Sequence, residues 1–106
     1  MTDLDAPIQA MIDATNREDS AAFLAAFADD AVLVDWGREF HGRERIAHWD
    51  ATENIGVHSR IEVRGVDHDG DRTTVQIEVS GGGYNGGGAF VFRTAAGRIT
   101  RMDITG

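Results

Sequence analysis

Ala28-Asp29-Asp30-Ala31-Val32-Leu33-Val34-Asp35-Trp36-Gly37-Arg38-Glu39-Phe40-His41-Gly42-Arg43-Glu44-Arg45-Ile46-Ala47-His48-Trp49 is the stretch whose reading decides the fold. It joins a helix end, a strand, a turn and the start of another helix. Val32-Leu33-Val34 is a short apolar run that predicts a strand buried on both faces. Trp36-Gly37-Arg38 turns the chain, and Glu39-Phe40-His41 returns as a small strand. Asp35 stands where the apolar run gives out, between Val34 and Trp36. A carboxylate held beside nonpolar walls is a more useful base than one in open water.

Upstream, Leu4, Ile8, Met11, Ile12 and Thr15 recur at helical spacing, with Asp5 and Pro7 suited to a first turn. The spacing predicts a first helix over 4–15. Asn16 to Ser20 breaks it and supplies a new cap, and a second helix over 21–28 places Phe23, Leu24 and Phe27 on one stripe. Asp29-Asp30 would end it. Downstream, Gly42 to Ile55 puts Ile46, Trp49 and Ile55 on one side of a third helix, closed by Gly56.

Beyond Gly56 the period changes from helical to alternating: Ile61 and Val63, then Val75, Ile77 and Val79, then Phe90 and Phe92, then Ile99 and Met102 to Ile104. This predicts an antiparallel sheet with hairpins at 67–71, 81–88 and 95–97. Arg60, Glu62, Arg64, Thr74, Gln76 and Glu78 fall on the opposite face, where charges can pair across strands. The class is α+β, one domain over 1–106.

Composition narrows the functions. A formal net charge of -8 in 106 residues repels phosphate backbones and anionic membranes, so neither nucleic acid nor a membrane is expected as partner. Without cysteine there is no disulfide, thiolate nucleophile or thiolate metal site, and all ten basic residues are Arg, which excludes a lysine Schiff base. The N-terminal residues carry neither a basic region nor a long apolar segment, so a cytoplasmic location is expected.

The order of these elements resembles the nuclear transport factor 2-like fold, in its SnoaL-like branch, over Ile8 to Ile104. The resemblance is carried by Asn16-Arg17-Glu18-Asp19, by Phe27-Ala28-Asp29-Asp30-Ala31-Val32, by Phe40-His41-Gly42-Arg43-Glu44-Arg45-Ile46 and by Gly97-Arg98-Ile99. It implies three N-terminal helices packed on a curved antiparallel sheet with a cone-shaped cavity between them. Members include ketosteroid isomerases, polyketide cyclases, dehydratases and epoxide hydrolases, together with proteins that only bind or dimerise, so the fold does not choose a chemistry. In the family the carboxylate after the first strand is often the cavity's base, which implies that role for Asp35. His41, on the strand that approaches the cavity, is read either as its acid partner or as a helix-entry histidine bonded to nearby backbone. Met11, Phe27, Trp36, Phe40, Trp49 and Tyr84 are the expected ligand-binding positions. The implied ligand is a small apolar or polycyclic molecule, no cofactor is called for, and a homodimer is implied.

The sequence departs from the isomerases where it matters for chemistry. The tyrosine that steadies their enolate falls on Met11, and its partner acid falls on Ala89. Neither side chain donates a hydrogen bond, so isomerisation of the familiar kind is not expected. The Asp-Arg-Asp arrangement of the epoxide hydrolases is not evident either, although Arg101 and Asp103 share a strand face.

Other motifs fail in context. Asp67, Asp69, Asp71 and Glu78 echo a calcium loop, but Arg72 replaces its glycine. Gly81-Gly82-Gly83-Tyr84-Asn85-Gly86 leads into a strand, where a dinucleotide fingerprint opens a helix; a mobile hairpin with Tyr84 folding over the cavity mouth is the reading left. The four histidines show no metal-ligand spacing, and no metal is expected. Two functions remain: a cofactor-independent isomerase, cyclase or dehydratase working through Asp35, or a non-catalytic ligand-binding or dimerisation module.

Overall fold

The structure, a computed structural model, describes residues 4–105. The chain runs α1 (Ala6–Asn16), α2 (Ser20–Ala25), β1 (Phe27–Asp35), β2 (Arg38–His41), α3 (Gly42–Glu53), a 3-10 turn (Ile55–Val57), β3 (Arg60–Asp69), β4 (Arg72–Ser80), β5 (Gly86–Ala95) and β6 (Arg98–Thr105). The strands form one sheet in the order β2-β1-β6-β5-β4-β3. Every neighbouring pair is antiparallel except β1 and β6, which run parallel. Register shifts between Val63 and Gly65, between Arg93 and Thr94, and between Phe27 and Val32 bend the strands, so the sheet curls around the helices. None of the helices among the described residues is long and apolar enough to cross a membrane.

Each boundary that differs from the sequence expectation has a local cause. The second helix stops at Ala25, and Phe27 already belongs to β1. The carbonyls there are claimed by tertiary partners: Ile99 N donates to Ala26 O at 2.8 Å, and Arg43 donates to Phe27 O from Nε at 3.0 Å and Nη2 at 2.6 Å. Phe23 and Phe27 still meet, at 5.2 Å between ring centroids, and Phe23 also stacks on Trp49 at 6.3 Å. Such ring pairs add about 0.5–1.5 kcal/mol each to their burial.

The run Val32-Leu33-Val34 is not buried on both faces. Ala31, Leu33 and Asp35 point into the core, while Val32 and Val34 are half-buried on a face that no helix covers. Helix α3 ends at Glu53, and Gly56 sits inside the following 3-10 turn instead of closing the helix. A Cβ there would stand 1.5 Å from Ala51 O, so the turn folds back too closely for any side chain.

Asn16 explains the first of the resemblance motifs. Its side-chain amide donates to Ile61 O at 2.8 Å and accepts from Ile61 N at 2.7 Å, imitating a paired strand at the sheet's edge. The core is one cluster that runs from Ile8, Met11 and Ile12 of α1 through Phe23, Leu33 and Trp49 to Phe90, Phe92 and Met102.

Candidate functional site

Beside this core, between α3 and the inner face of the sheet, lies an open hollow of about 310 Å³. That is at the small end of the range of ligand pockets, about 300–1,000 Å³. Its floor is apolar, built from Ile61, Ile77, Val79, Phe90 and Ile104, which share one face of the sheet through the two-residue period of a strand. Asp35 enters from the end of β1, 8% exposed.

The Asp35 carboxylate is held by one oxygen. Oδ2 accepts from Trp49 Nε1 at 3.0 Å and from Arg38 Nη2 at 2.5 Å. Among the described residues Oδ1 has no hydrogen-bond partner, so the group is fixed in orientation with one oxygen available to a guest. Arg38 reaches this position because Trp36 (φ 51) and Gly37 (φ 84) make a two-residue turn of left-handed conformation, which sets Asp35 opposite Arg38 in the ladder. The guanidinium then bridges to the last turn of α3, from Nη1 to Glu53 Oε2 at 2.9 Å and from Nη2 to Glu53 Oε1 at 2.6 Å. The Glu53 bonds, with Asp35 close behind, raise the guanidinium pKa above its already high range, so the cation persists at every working pH.

An acid-guanidinium-acid bridge is therefore present, in space if not in sequence, as Asp35, Arg38 and Glu53. Arg101 and Asp103 pair with each other at 2.8 Å on the outer face of the sheet, away from the hollow.

Of the positions expected from the sequence, the structure brings Asp35, Trp36, Trp49 and Tyr84 to the hollow. Trp36 and Tyr84 stand at its rim, 67% and 56% exposed. Met11, Phe27, Phe40 and His41 do not line it. Met11 and Phe27 are fully buried in the helix-side core. Phe40 lies opposite Leu33 against that core, with the Arg38 guanidinium 5.7 Å from its ring centre. His41 is set on the wrong face by parity: it pairs with Val32 whereas Arg38 pairs with Asp35, and three residues along a strand reverse the face. Its Nε2 lies 2.7 Å from Glu39 Oε1, in solvent.

Ala89 also alternates away from the hollow; the inward positions on β5 are Gly88 and Phe90, neither with a side-chain donor. The glycines before it do not make a free hinge. Gly81, Gly82 and Gly83 press on the 3-10 turn so closely that an added Cβ would meet His58 O at 2.4 Å, Val57 O at 2.8 Å and Val57 Cγ2 at 2.8 Å respectively. Tyr84 is tied back by its hydroxyl, which donates to Gly87 O at 2.6 Å.

Six polar residues of the hollow escaped the sequence reading: Arg38, Thr52, Glu53, Asn54, Ser59 and Thr105. The two-residue turn and the Trp49-to-Glu53 helical step were signals for Arg38 and Glu53. Asp50 also escaped. It is 3% exposed, one turn past Ile46 on the buried stripe, and accepts from Asn54 Nδ2 at 2.9 Å; burial raises its pKa. Among the described residues no group of His, Cys, Asp and Glu is arranged to hold a metal ion.

Comparison with known proteins agrees with this architecture. The family model described as "SnoaL-like domain" matches residues 8–102. A provisionally named polyketide cyclase of Sinorhizobium meliloti superposes with a TM-score of 0.85 at 29% identity, over 96% of this chain and 95% of that one. The Delta 5-3-ketosteroid isomerase of a Mycobacterium species superposes at 0.82, with 19% identity over 95% and 90% of the two chains. A Mycobacterium tuberculosis protein solved in complex with estradiol-17beta-hemisuccinate superposes at 0.81, with 20% identity over 92% and 88%. No curated protein sequence matches.

Proposed function

From the premise that this chain belongs to the SnoaL-like domain family, we propose that its hollow encloses a small apolar molecule and that Asp35 moves a proton on it. The observation that carries the reading is the Asp35 carboxylate itself, buried in an apolar wall, with Oδ2 fixed by Trp49 and Arg38 and Oδ1 left open. An oriented carboxylate whose free oxygen faces a carbon acid is the minimum needed for general-base catalysis. The reaction class is proton abstraction beside a carbonyl, as in an isomerisation, cyclisation or dehydration.

Charge would develop on the carbonyl oxygen as the proton leaves. Arg38 is the one cation among the described residues lining the hollow, and its guanidinium lies within hydrogen-bond reach of Asp35. It takes the part for which Met11 and Ala89 lack donors: a fixed positive group at the place where negative charge appears. Glu53, which accepts from both Nη1 and Nη2 of the guanidinium, positions it.

The test is solvent deuterium exchange into 2-tetralone, a compact bicyclic ketone, followed by NMR in heavy water. Wild-type protein accelerates exchange at the carbon beside the carbonyl, and Asp35→Asn lowers that rate by about 10²-fold or more. A wild-type protein that binds the ketone without exchanging it supports the second reading, a non-catalytic binding module, which the absent donors at Met11 and Ala89 favour. The half-buried Val32, Val34 and Val91 on the uncovered sheet face suit the homodimer that the resemblance implies. Sedimentation at graded concentrations tests it.

A further inference from the structure

We propose that Ser59 is the second polar contact of the hollow, and that the molecule held there is largely apolar and carries, besides the part that meets Asp35, a hydroxyl or carbonyl that meets Ser59. The inference rests on the hollow being a small-molecule site, as argued above. Its own evidence is an exception in the hydrogen bonding of the interior.

Six polar residues are buried among those described: Thr15, Asp35, Asp50, Asn54, Ser59 and Thr73. Five have side-chain partners. Thr15 donates to Met11 O at 3.0 Å, Asn54 donates to Asp50 and to Thr15, Asp35 accepts from Trp49, and Thr73 pairs with His68 at 3.1 Å. Ser59 is 6% exposed and lines the hollow, yet among the described residues its hydroxyl has no hydrogen-bond partner. Among the described residues no fully enclosed side-chain polar atom lacks a partner, so this hydroxyl is reached through the space it lines. Native interiors satisfy nearly all such groups, and one left open toward a hollow marks where a guest or water completes it.

The position of Ser59 is fixed. Its backbone N donates to Asn54 O at 3.0 Å, the preceding His58 turns the chain in the left-handed region (φ 57), and Gly81 packs against its Cα. It stands immediately before β3, whereas Asp35 ends β1. β1 and β3 are four strands apart in the curled sheet, and both border the end of α3, where Glu53 meets Arg38 beside Asp35 and Asn54 O accepts from Ser59 N. Ile104, Phe90, Ile77 and Ile61 fill the interval on successive strands. The hollow thus offers a carboxylate with its guanidinium, a separate hydroxyl, and an apolar floor. A serine hydroxyl both donates and accepts, so it suits a hydroxyl or a carbonyl on the guest.

The experiment compares 17β-estradiol with its 17-deoxy analogue by titration calorimetry against wild type and Ser59→Ala, with circular dichroism confirming the fold of the variant. Wild type binds the two-ended steroid about three- to tenfold more tightly, the worth of one net hydrogen bond. Ser59→Ala brings the two affinities within about twofold by weakening the diol alone. Equal affinities in wild type, or a preference unchanged in Ser59→Ala, overturn the assignment of Ser59 and leave the hollow as a site. Failure of wild type to bind either steroid overturns the hollow as a site for such molecules, and this inference with it.

Discussion

Asp35 shows how much one residue can reveal before its surroundings are known. Its position after an apolar run was legible, because two-residue periodicity carries the inward face from Leu33 to Asp35. The same rule sends His41 outward, but only once the register across Trp36-Gly37 is known, and register is a fact about two strands. Replacement separates the parts of the Asp35 site. Asp35→Ala leaves the Trp49 indole N–H without its acceptor and costs about 1–3 kcal/mol in urea unfolding, whereas Asp35→Asn keeps an acceptor oxygen and costs less. Trp36 is the complementary case: an exposed, bulky side chain in the left-handed region, a conformation that asparagine tolerates better. Trp36→Asn therefore raises unfolding free energy by up to about 1 kcal/mol while weakening steroid binding at the rim. A variant that loses stability and keeps its affinity would show that Trp36 serves the fold and not the hollow.

Among the elements, periodicity found every helix and every long strand, and missed where they stop. Helix α2 gives way to β1 because Arg43 and Ile99 claim the carbonyls of Phe27 and Ala26, and no local pattern announces partners so distant along the chain. The glycines read as punctuation also divide once their neighbours are seen. Gly56→Ala drives a methyl into the Ala51 carbonyl and costs about 3 kcal/mol or more; Gly70→Ala, with nothing within 4 Å, costs only the left-handed strain of about 1–2 kcal/mol. Thermal unfolding of the two variants side by side checks the order, and equal losses would remove the steric account of the 3-10 turn. Asn16→Ala should likewise speed hydrogen exchange at Ile61 N, the amide its side chain accepts from.

For the molecule as a whole, the α+β class and the helices-then-sheet order could be read from the switch in period near Gly56. The parallel docking of β6 on β1 could not, since both strands read alike whichever way they pair. Nor could the hollow's polar groups, which come from Arg38 on β2, Glu53 on α3 and Ser59 just before β3. Asp50 gives the whole fold a pH dependence with a defined sign. Burial raises its pKa above the unfolded value, so its protonated form favours folding at acid pH, and that contribution fades as pH rises through the folded-state pKa. Asp50→Asn keeps an oxygen for Asn54 Nδ2 and carries no charge. It should match wild type near pH 3 and exceed it progressively toward pH 7 in denaturant titrations; a difference independent of pH would contradict the raised pKa.

The most direct measurement is a two-dimensional NMR titration of the protein with 17β-estradiol, following the Trp49 indole N–H together with signals from both faces of the sheet. The prediction is that the Trp49 indole, Ile77 and Ile104 shift together along one saturating curve while Val32 and Val91 on the uncovered face stay still. A silent Trp49 indole, or shifts confined to Val32 and Val91, would contradict a guest seated against Asp35.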